Sequence, residues 1–311
     1  MSDFLNGRKM ADAINRAAQK AAGGKGTVDV KRNVDQAYYD RFLCRIFSEQ
    51  DGSLLLKGGT RMLAAVPNGR ATRDVDLEAR EHTLDAAIAN LKRLASVDLG
   101  DFLLFTYTGH RSAGGTNQPN VEAAAVKFDV TIVGVGRQNP LAVDLAMHRR
   151  PSAPVVKSAP AFRLDIPQFQ TFDYAMIAIE DQIADKVCAI MSSYGVGSEG
   201  SSRAKDLVDI VILALHQEID AADLHRAIRM EATNRALPFF ASVTIPGAIQ
   251  AGYGKLASTV KPIDGFRTLE EAASLVEKVI EPVLGGRVAE SRWNPGLRTW
   301  VPMPAQQRQN P

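Results

Sequence analysis

The sequence predicts a two-lobed α/β (α+β) protein, a small mixed sheet with helices followed by a helical C-terminal lobe. Three observations carry this. Short apolar runs alternate with helical periodicity through the first half, a Pro-containing stretch from about 149 to 167 breaks the pattern, and long runs at helical spacing take over beyond it. The expected division is 1–150 for the mixed-sheet domain with two leading helices, 151–170 for a linker, 171–285 for a helical domain and 286–311 for an irregular tail.

The elements follow in order. Residues 10–22 and 32–49 repeat apolar positions at helical spacing, with Tyr39, Phe42, Leu43 and Ile46 on one stripe, and a GGKGT loop joins the two helices. Residues 54–56 form a short apolar strand, Gly58 and Gly59 a turn, and a helix begins near Thr60. The next strand holds 74–79. A helix is expected over 82–95, then strands over 102–108 and 121–134 with a polar loop, 109–120, between them. Helices are expected over 171–191, 203–217, 220–232 and 267–283, with the loop SSYGVGSEGSS between the first two.

Composition sets bounds. The 311 residues are 45% apolar, enough to bury a core without staples. Cys44 and Cys188 lie far apart and have neither a disulfide framework nor zinc-ligand spacing around them. The first residues lack the apolar run of a signal peptide, and no stretch of about 18 apolar residues occurs, so the chain reads as cytoplasmic, with no membrane partner. A net charge of +2 does not argue for nucleic acid, although it can hide a basic face. The partner class must come from the site.

Alternate residues of a strand share a face, so Asp74 and Asp76 point one way and Val75 and Leu77 the other. Two carboxylates that close repel unless a cation or a proton neutralises them, and a hard divalent cation is the natural neutraliser. Such a pair also occurs on solvated strand faces. Gly58 and Gly59 precede a helix start, where free N–H groups and the helix dipole favour an anion, although a glycine pair also makes an ordinary tight turn. A phosphate turn one helix before a carboxylate pair supplies both parts that triphosphate chemistry needs. Lys127, Asp129 and Thr131 show a polar strand face, which offers Asp129 as a third carboxylate, with Asp144 as its competitor.

These residues resemble a family. Gly58-Gly59-Thr60, followed by Arg70-Ala71-Thr72-Arg73-Asp74-Val75-Asp76-Leu77, is similar to the first two motifs of the polymerase-beta-like nucleotidyltransferase superfamily, and more narrowly of its AbiEii branch, the toxin side of AbiE-type (type IV) toxin–antitoxin systems, which includes the MenT toxins. Glu180-Asp181-Gln182-Ile183-Ala184-Asp185-Lys186 resembles that branch's lysine-bearing helix, and Arg203-Ala204-Lys205-Asp206-Leu207-Val208-Asp209 its Arg-x-Lys-Asp-x-x-Asp helix. The four motifs stand in order over 57–210. Many members have Gly-Ser where this chain has Gly-Thr, which keeps the hydroxyl and narrows the turn.

The resemblance implies a polymerase-beta-like sheet and a toxin that transfers NMP from an NTP to an RNA acceptor, the 3′ end of tRNA, blocking translation, with a cognate antitoxin as partner. The cofactor would be Mg2+ (or Mn2+). Asp74 and Asp76, with Asp129, would hold the metal. Lys57, Gly58, Gly59, Thr60 and Arg203 would bind the nucleotide, Lys186 would neutralise phosphate charge, and Asp206 would activate or position the acceptor hydroxyl. On a helical wheel Arg203 and Asp206 share an apolar face, so a buried Asp206 must meet Arg203, Lys186 or a cleft. His110, His148, His216 and His225 lack metal-ligand spacing. The run His148-Arg149-Arg150 with Lys157 and Arg163, and Arg226, Arg229 and Arg235, are candidates for an acceptor surface or simply solvated. Rival readings are AMPylation of a protein, transfer to a small molecule, and a non-catalytic NTP-binding regulatory protein.

Overall fold

Helices begin and end where something satisfies their free backbone groups. Helix α1 (Gly7–Ala22) starts at Asn6, whose side chain accepts the Lys9 N–H at 3.0 Å, and stops at Gly23, left-handed at φ 57°. Met10, Ile14 and Ala18, one turn apart, are fully buried on its inner face. Helix α2 (Thr27–Ile46) runs into the core, carrying Phe42, Leu43 and Cys44. It also buries Arg41 and Arg45, which share Asp101 at 2.8 and 2.5 Å. The computed structural model describes residues 4–24, 26–66, 72, 74–113, 122–147, 152–192, 200–263 and 265–304; Arg70, Ala71 and Arg73 of the aspartate motif, the His148-Arg149-Arg150 run and most of the SSYGVGSEGSS loop lie outside them.

The order continues β1 (Leu54–Lys57), α3 (Gly58–Ala65), β2 (Asp74–Ala79), α4 (Leu84–Ala95), β3 (Leu103–Ser112), β4 (Ala123–Ile132), β5 (Gly136–Arg137), β6 (Leu141–Met147), β7 (Val156–Ser158) and β8 (Tyr174–Met176). The sheet runs β3-β4-β6-β2-β1-β8-β7, with β5 on β4. It is mixed: β2 lies parallel to β6 and β1 parallel to β8, and the other pairs are antiparallel. Along β2, Val75, Leu77 and Ala79 are fully buried while Asp74, Asp76 and Glu78 face the other way.

The second half holds α5 (Ile179–Met191), α6 (Gly200–His216), β9 (Ile219–Asp220), α7 (Ala221–Asn234), α8 (Gln250–Ala257), α9 (Leu269–Leu284), β10 (Ser291–Asn294) and β11 (Thr299–Pro302). Helix α5 packs on α6 and α7, and α9 opens with a reciprocal Thr268–Glu271 capping box. One apolar core runs from Met10 to Ile177. The second runs from Ile179 to Trp293 and takes in Met62 and Val66 at the far end of α3 and just beyond it. No helix among the described residues is long and apolar enough to cross a membrane.

Four segments differ from the sequence reading. Residues 174–176 are strand rather than the start of a helix, because the buried run Tyr-Ala-Met pairs with β1 through Leu56 and Met176; a short buried run has no periodicity to distinguish the two. The expected linker supplies β7 and buries Leu164 and Ile166. The tail read as irregular forms the β10–β11 hairpin on β9, anchored by fully buried Trp293, whose Nε1–H donates to the Ala214 carbonyl at 2.7 Å. The polar loop also begins later than expected, since β3 continues through Gly109 to Ser112 after a bulge.

Candidate active site

The alternation of β2 turns Asp74 and Asp76 out of the core together, and the turn from β1 into α3 closes over Asp76. In the β1–β2 ladder Lys57 lies opposite Asp76. The Gly59 N–H, in the first turn of α3, donates to Asp76 Oδ2 at 2.9 Å. Gly58 takes φ +61°, and a Cβ there would stand 2.1 Å from the same oxygen. Both hydrogen-bonding groups of Gly58 are taken by one side chain of α5: its N–H donates to Gln182 Oε1 and its carbonyl accepts from Gln182 Nε2, each at 3.1 Å. The Thr60 hydroxyl donates to the Asp74 carbonyl at 2.8 Å, and the Thr72 hydroxyl to Asp74 Oδ1 at 2.9 Å. In this arrangement the Gly59 N–H and the Thr60 hydroxyl each reach one of the two aspartates.

Burial, then the charge of Asp74, pushes the Asp76 carboxyl up to about 6; Lys186, Lys57 and the Gly59 N–H pull the other way. The register supplies the next carboxylate. Asp144 of β6 lies directly beside Asp76, and partial desolvation followed by the Asp74 charge raises its carboxyl, with Arg111 and Lys57 opposing. Asp129 does not join them. It sits opposite Thr106 on β4 and pairs with Arg137 of β5. Ala125 is the β4 residue that faces Asp144, which leaves Asp129 about 13 Å further along the strand at 3.3 Å per residue.

Helix α5 faces this carboxylate face with Lys186. Its ammonium stands 3.1 Å from Asp185 and 3.3 Å from Asp206, and the other Asp206 oxygen takes Arg203 at 2.7 Å. Burial alone would lower the Lys186 ammonium; Asp185, Asp206 and Asp209 outweigh it and raise it well above its usual range. Burial would raise Asp185, but Lys186, Arg235 and Lys57 hold it well below the carboxylate range. Arg235 reaches Asp185 at 2.5 Å and Glu231 at 2.5 Å, and Lys57 reaches Glu78 at 3.6 Å. A cleft of about 280 Å³ lies between the β1–α3 turn, β2, α5 and α7, lined by Lys57, Asp76, Glu78, Asp181, Asp185 and Lys186, with Met230 and Asn234 on its far wall. Asp206 and Arg203 are absent from that lining and sit behind Lys186.

Among the described residues no three His, Cys, Asp or Glu side chains converge into a ready-made metal cage. A half-buried carboxylate whose charge is opposed by desolvation, beside a second on the same strand face, fits the mode in which Mg2+ is held by one or two carboxylates and completed by substrate phosphates. The sequence reading missed Gln182 and Asp185 and ranked Asp144 below Asp129. A signal for Gln182 was present, since it lies one helical turn before Lys186 and so shares its face.

The family described as "Nucleotidyl transferase AbiEii toxin, Type IV TA system" matches residues 41–289. Among solved structures the chain is similar to MenT4, a nucleotidyltransferase toxin of Mycobacterium tuberculosis, with 17% identity, a TM-score of 0.50, and coverage of 88% of this chain and 98% of that one. It is also similar to JHP933 of Helicobacter pylori at 17% identity and a TM-score of 0.41, covering 81% and 94%. No curated protein matches.

Proposed function

The chain belongs to the AbiEii family of nucleotidyltransferase toxins of type IV toxin–antitoxin systems, and on that premise we propose that it transfers NMP from an NTP to the 3′ end of tRNA in a metal-dependent reaction that blocks translation. The observation that carries the reading is Asp76, half-buried beside Asp74 and held by the Gly59 N–H on a cleft that Lys57 and Lys186 also line.

Asp74 and Asp76, with Asp144 next in register, would hold Mg2+ or Mn2+, which when bound polarises the α-phosphate. The chain's own residues do the rest. Lys186, kept charged by Asp185 and Asp206, neutralises the triphosphate as the acceptor hydroxyl oxygen bonds to the α-phosphorus, the bond from the α-phosphorus to the bridging oxygen breaks, pyrophosphate leaves and the hydroxyl proton passes to solvent water. Lys57 adds a second positive charge from the sheet side of the cleft. Asp206, with one oxygen on Lys186 and the other on Arg203, orients that lysine and takes no proton from the acceptor. The turn Gly58-Gly59-Thr60 fixes the aspartates. The nucleobase is received by the α7 wall at Met230 and Asn234. The reaction takes place in the cytoplasm, where NTPs and tRNA are found, and a cognate antitoxin restrains it.

The test is incubation of the pure protein with Mg2+, each α-labelled NTP in turn and total tRNA, beside Asp76→Asn. Label on RNA with the wild type and none with the variant is the expected result. Label on protein that survives nuclease would replace the RNA acceptor with a protein one. NTP binding with no label anywhere would replace the enzyme reading with a regulatory one.

A further inference from the structure

The turn that holds Asp76 is itself held from the other half of the molecule. Gln182 is 1% exposed, and its amide makes two hydrogen bonds to one residue, accepting from the Gly58 N–H and donating to the Gly58 carbonyl, each at 3.1 Å. This needs a donor and an acceptor side by side on one planar group, which the Gln amide offers at every pH, and the Asn amide is one methylene shorter. A reversed amide would set donor against donor, so the pairing fixes the side chain in one orientation. Gly58 in turn occupies φ +61°, with Asp76 Oδ2 filling the space where a Cβ would stand, and the next N–H, that of Gly59, binds the same oxygen. A chain of direct contacts therefore runs from α5 through the turn to the carboxylate. The same helix carries Lys186 one turn further on, so the contact that orients the turn also registers Lys186 against Asp76.

We propose that Gln182 is a positioning residue for Asp76: by clamping Gly58 it fixes the β1–α3 turn, and through the turn it sets the carboxylate that faces the cation and the spacing of that carboxylate from Lys186. Gln182 reaches the edge of the cleft, but both hydrogen-bonding atoms of its amide are taken by Gly58. Its part is to keep both catalytic walls of the cleft in one register, one wall from the sheet and one from the helical half. Losing an outer partner of a metal-ligating carboxylate lowers metal affinity or activity by about 10- to 100-fold, and that is the size of effect expected here.

The experiment compares wild type with Gln182→Met, which keeps the volume and removes both hydrogen bonds, and with Gln182→Glu, which keeps the acceptor and removes the donor. Three quantities are read on variants whose circular dichroism matches wild type: amide exchange of Gly59, Mn2+ affinity by paramagnetic titration with a non-hydrolysable NTP analogue, and the split between kcat and KM for the NTP. The expected result is Gly59 exchange faster by about tenfold or more and Mn2+ affinity weaker by about tenfold or more. KM for the NTP should stay within about twofold, and excess Mn2+ should recover part of the lost rate. A merely local role would speed exchange at Gly58 and leave Gly59 and Mn2+ affinity at wild-type values, which overturns the proposal. Should Gln182→Met not fold, Gln182→Glu carries the same expectation. The kinetic arm rests on the nucleotidyl-transfer reading and the exchange arm does not. A wild type that labels no acceptor, with Gly59 exchange still set by Gln182, would sink the function and leave the positioning role standing.

Discussion

Replacing Asp76 with Asn should stabilise the metal-free protein at neutral pH. Burial and the Asp74 charge raise the Asp76 carboxyl from 3.8 to about 6. A group whose folded pKa is raised costs nothing below its unfolded value, where it is protonated in both states. The penalty grows as pH climbs from about 4 and is complete above about 6, where it is ionised in both. A shift of about two units at 1.36 kcal/mol each gives a penalty of up to about 3 kcal/mol at pH 7.5. Asn keeps an acceptor for the Gly59 N–H and removes the charge, so the variant escapes the penalty. At roughly 2 °C per kcal/mol, the lower end for domains of this size, its Tm should lie about 6 °C above wild type in chelator at pH 7.5, and the gap should close toward pH 4. Saturating Mn2+ should narrow the gap by stabilising only the wild type. Thermal unfolding across pH 4–8 with and without Mn2+ measures all of this. Equal Tm values at pH 7.5 in chelator would refute the claim that the site holds a charge in search of a cation.

Gly58→Ala should cost about 1–2 kcal/mol for the left-handed backbone and displace Asp76, and a misplacement of about 1 Å should cost roughly 100-fold in transfer rate, read by denaturant titration and label transfer. Asp144→Asn should raise the divalent-cation concentration needed for half-maximal transfer severalfold, while Asp129→Asn should stay within about twofold of wild type; the reverse order would put the wrong strand beside the site. Asp101→Ala strands two buried guanidiniums and should destabilise the fold by about 3–5 kcal/mol, measured by denaturant titration, without altering KM for the NTP in whatever fraction stays folded.

What the sequence could convey was local. The two-residue alternation of 74–79 placed Asp74 and Asp76 on one face and Val75 and Leu77 on the other, which is how β2 stands. The helical wheel put Asp206 among apolar neighbours and required it to meet Arg203 or Lys186, and it meets both. Strand order was not local. The polar face of its strand offers Asp129, but β6 lies between β4 and β2 and brings Asp144 instead. The Gln182–Gly58 clamp joins residues 124 positions apart, so the helical spacing that sets Gln182 on the face of Lys186 does not say which residue it binds. The hairpin around Trp293 did leave one, since Trp293 and Trp300 flank an Asn-Pro-Gly turn signal. In 171–176 a buried strand and a buried helix start read alike, because packing on β1 decides between them.

The most direct test of the central claim is mass analysis of the 3′-terminal fragments of tRNA incubated with the protein, Mg2+ and each NTP, beside Asp76→Asn. The account predicts fragments longer by one or more nucleotides with the wild type and unchanged fragments with the variant. Unchanged 3′ ends with every NTP, from wild-type protein that binds nucleotide, would contradict it.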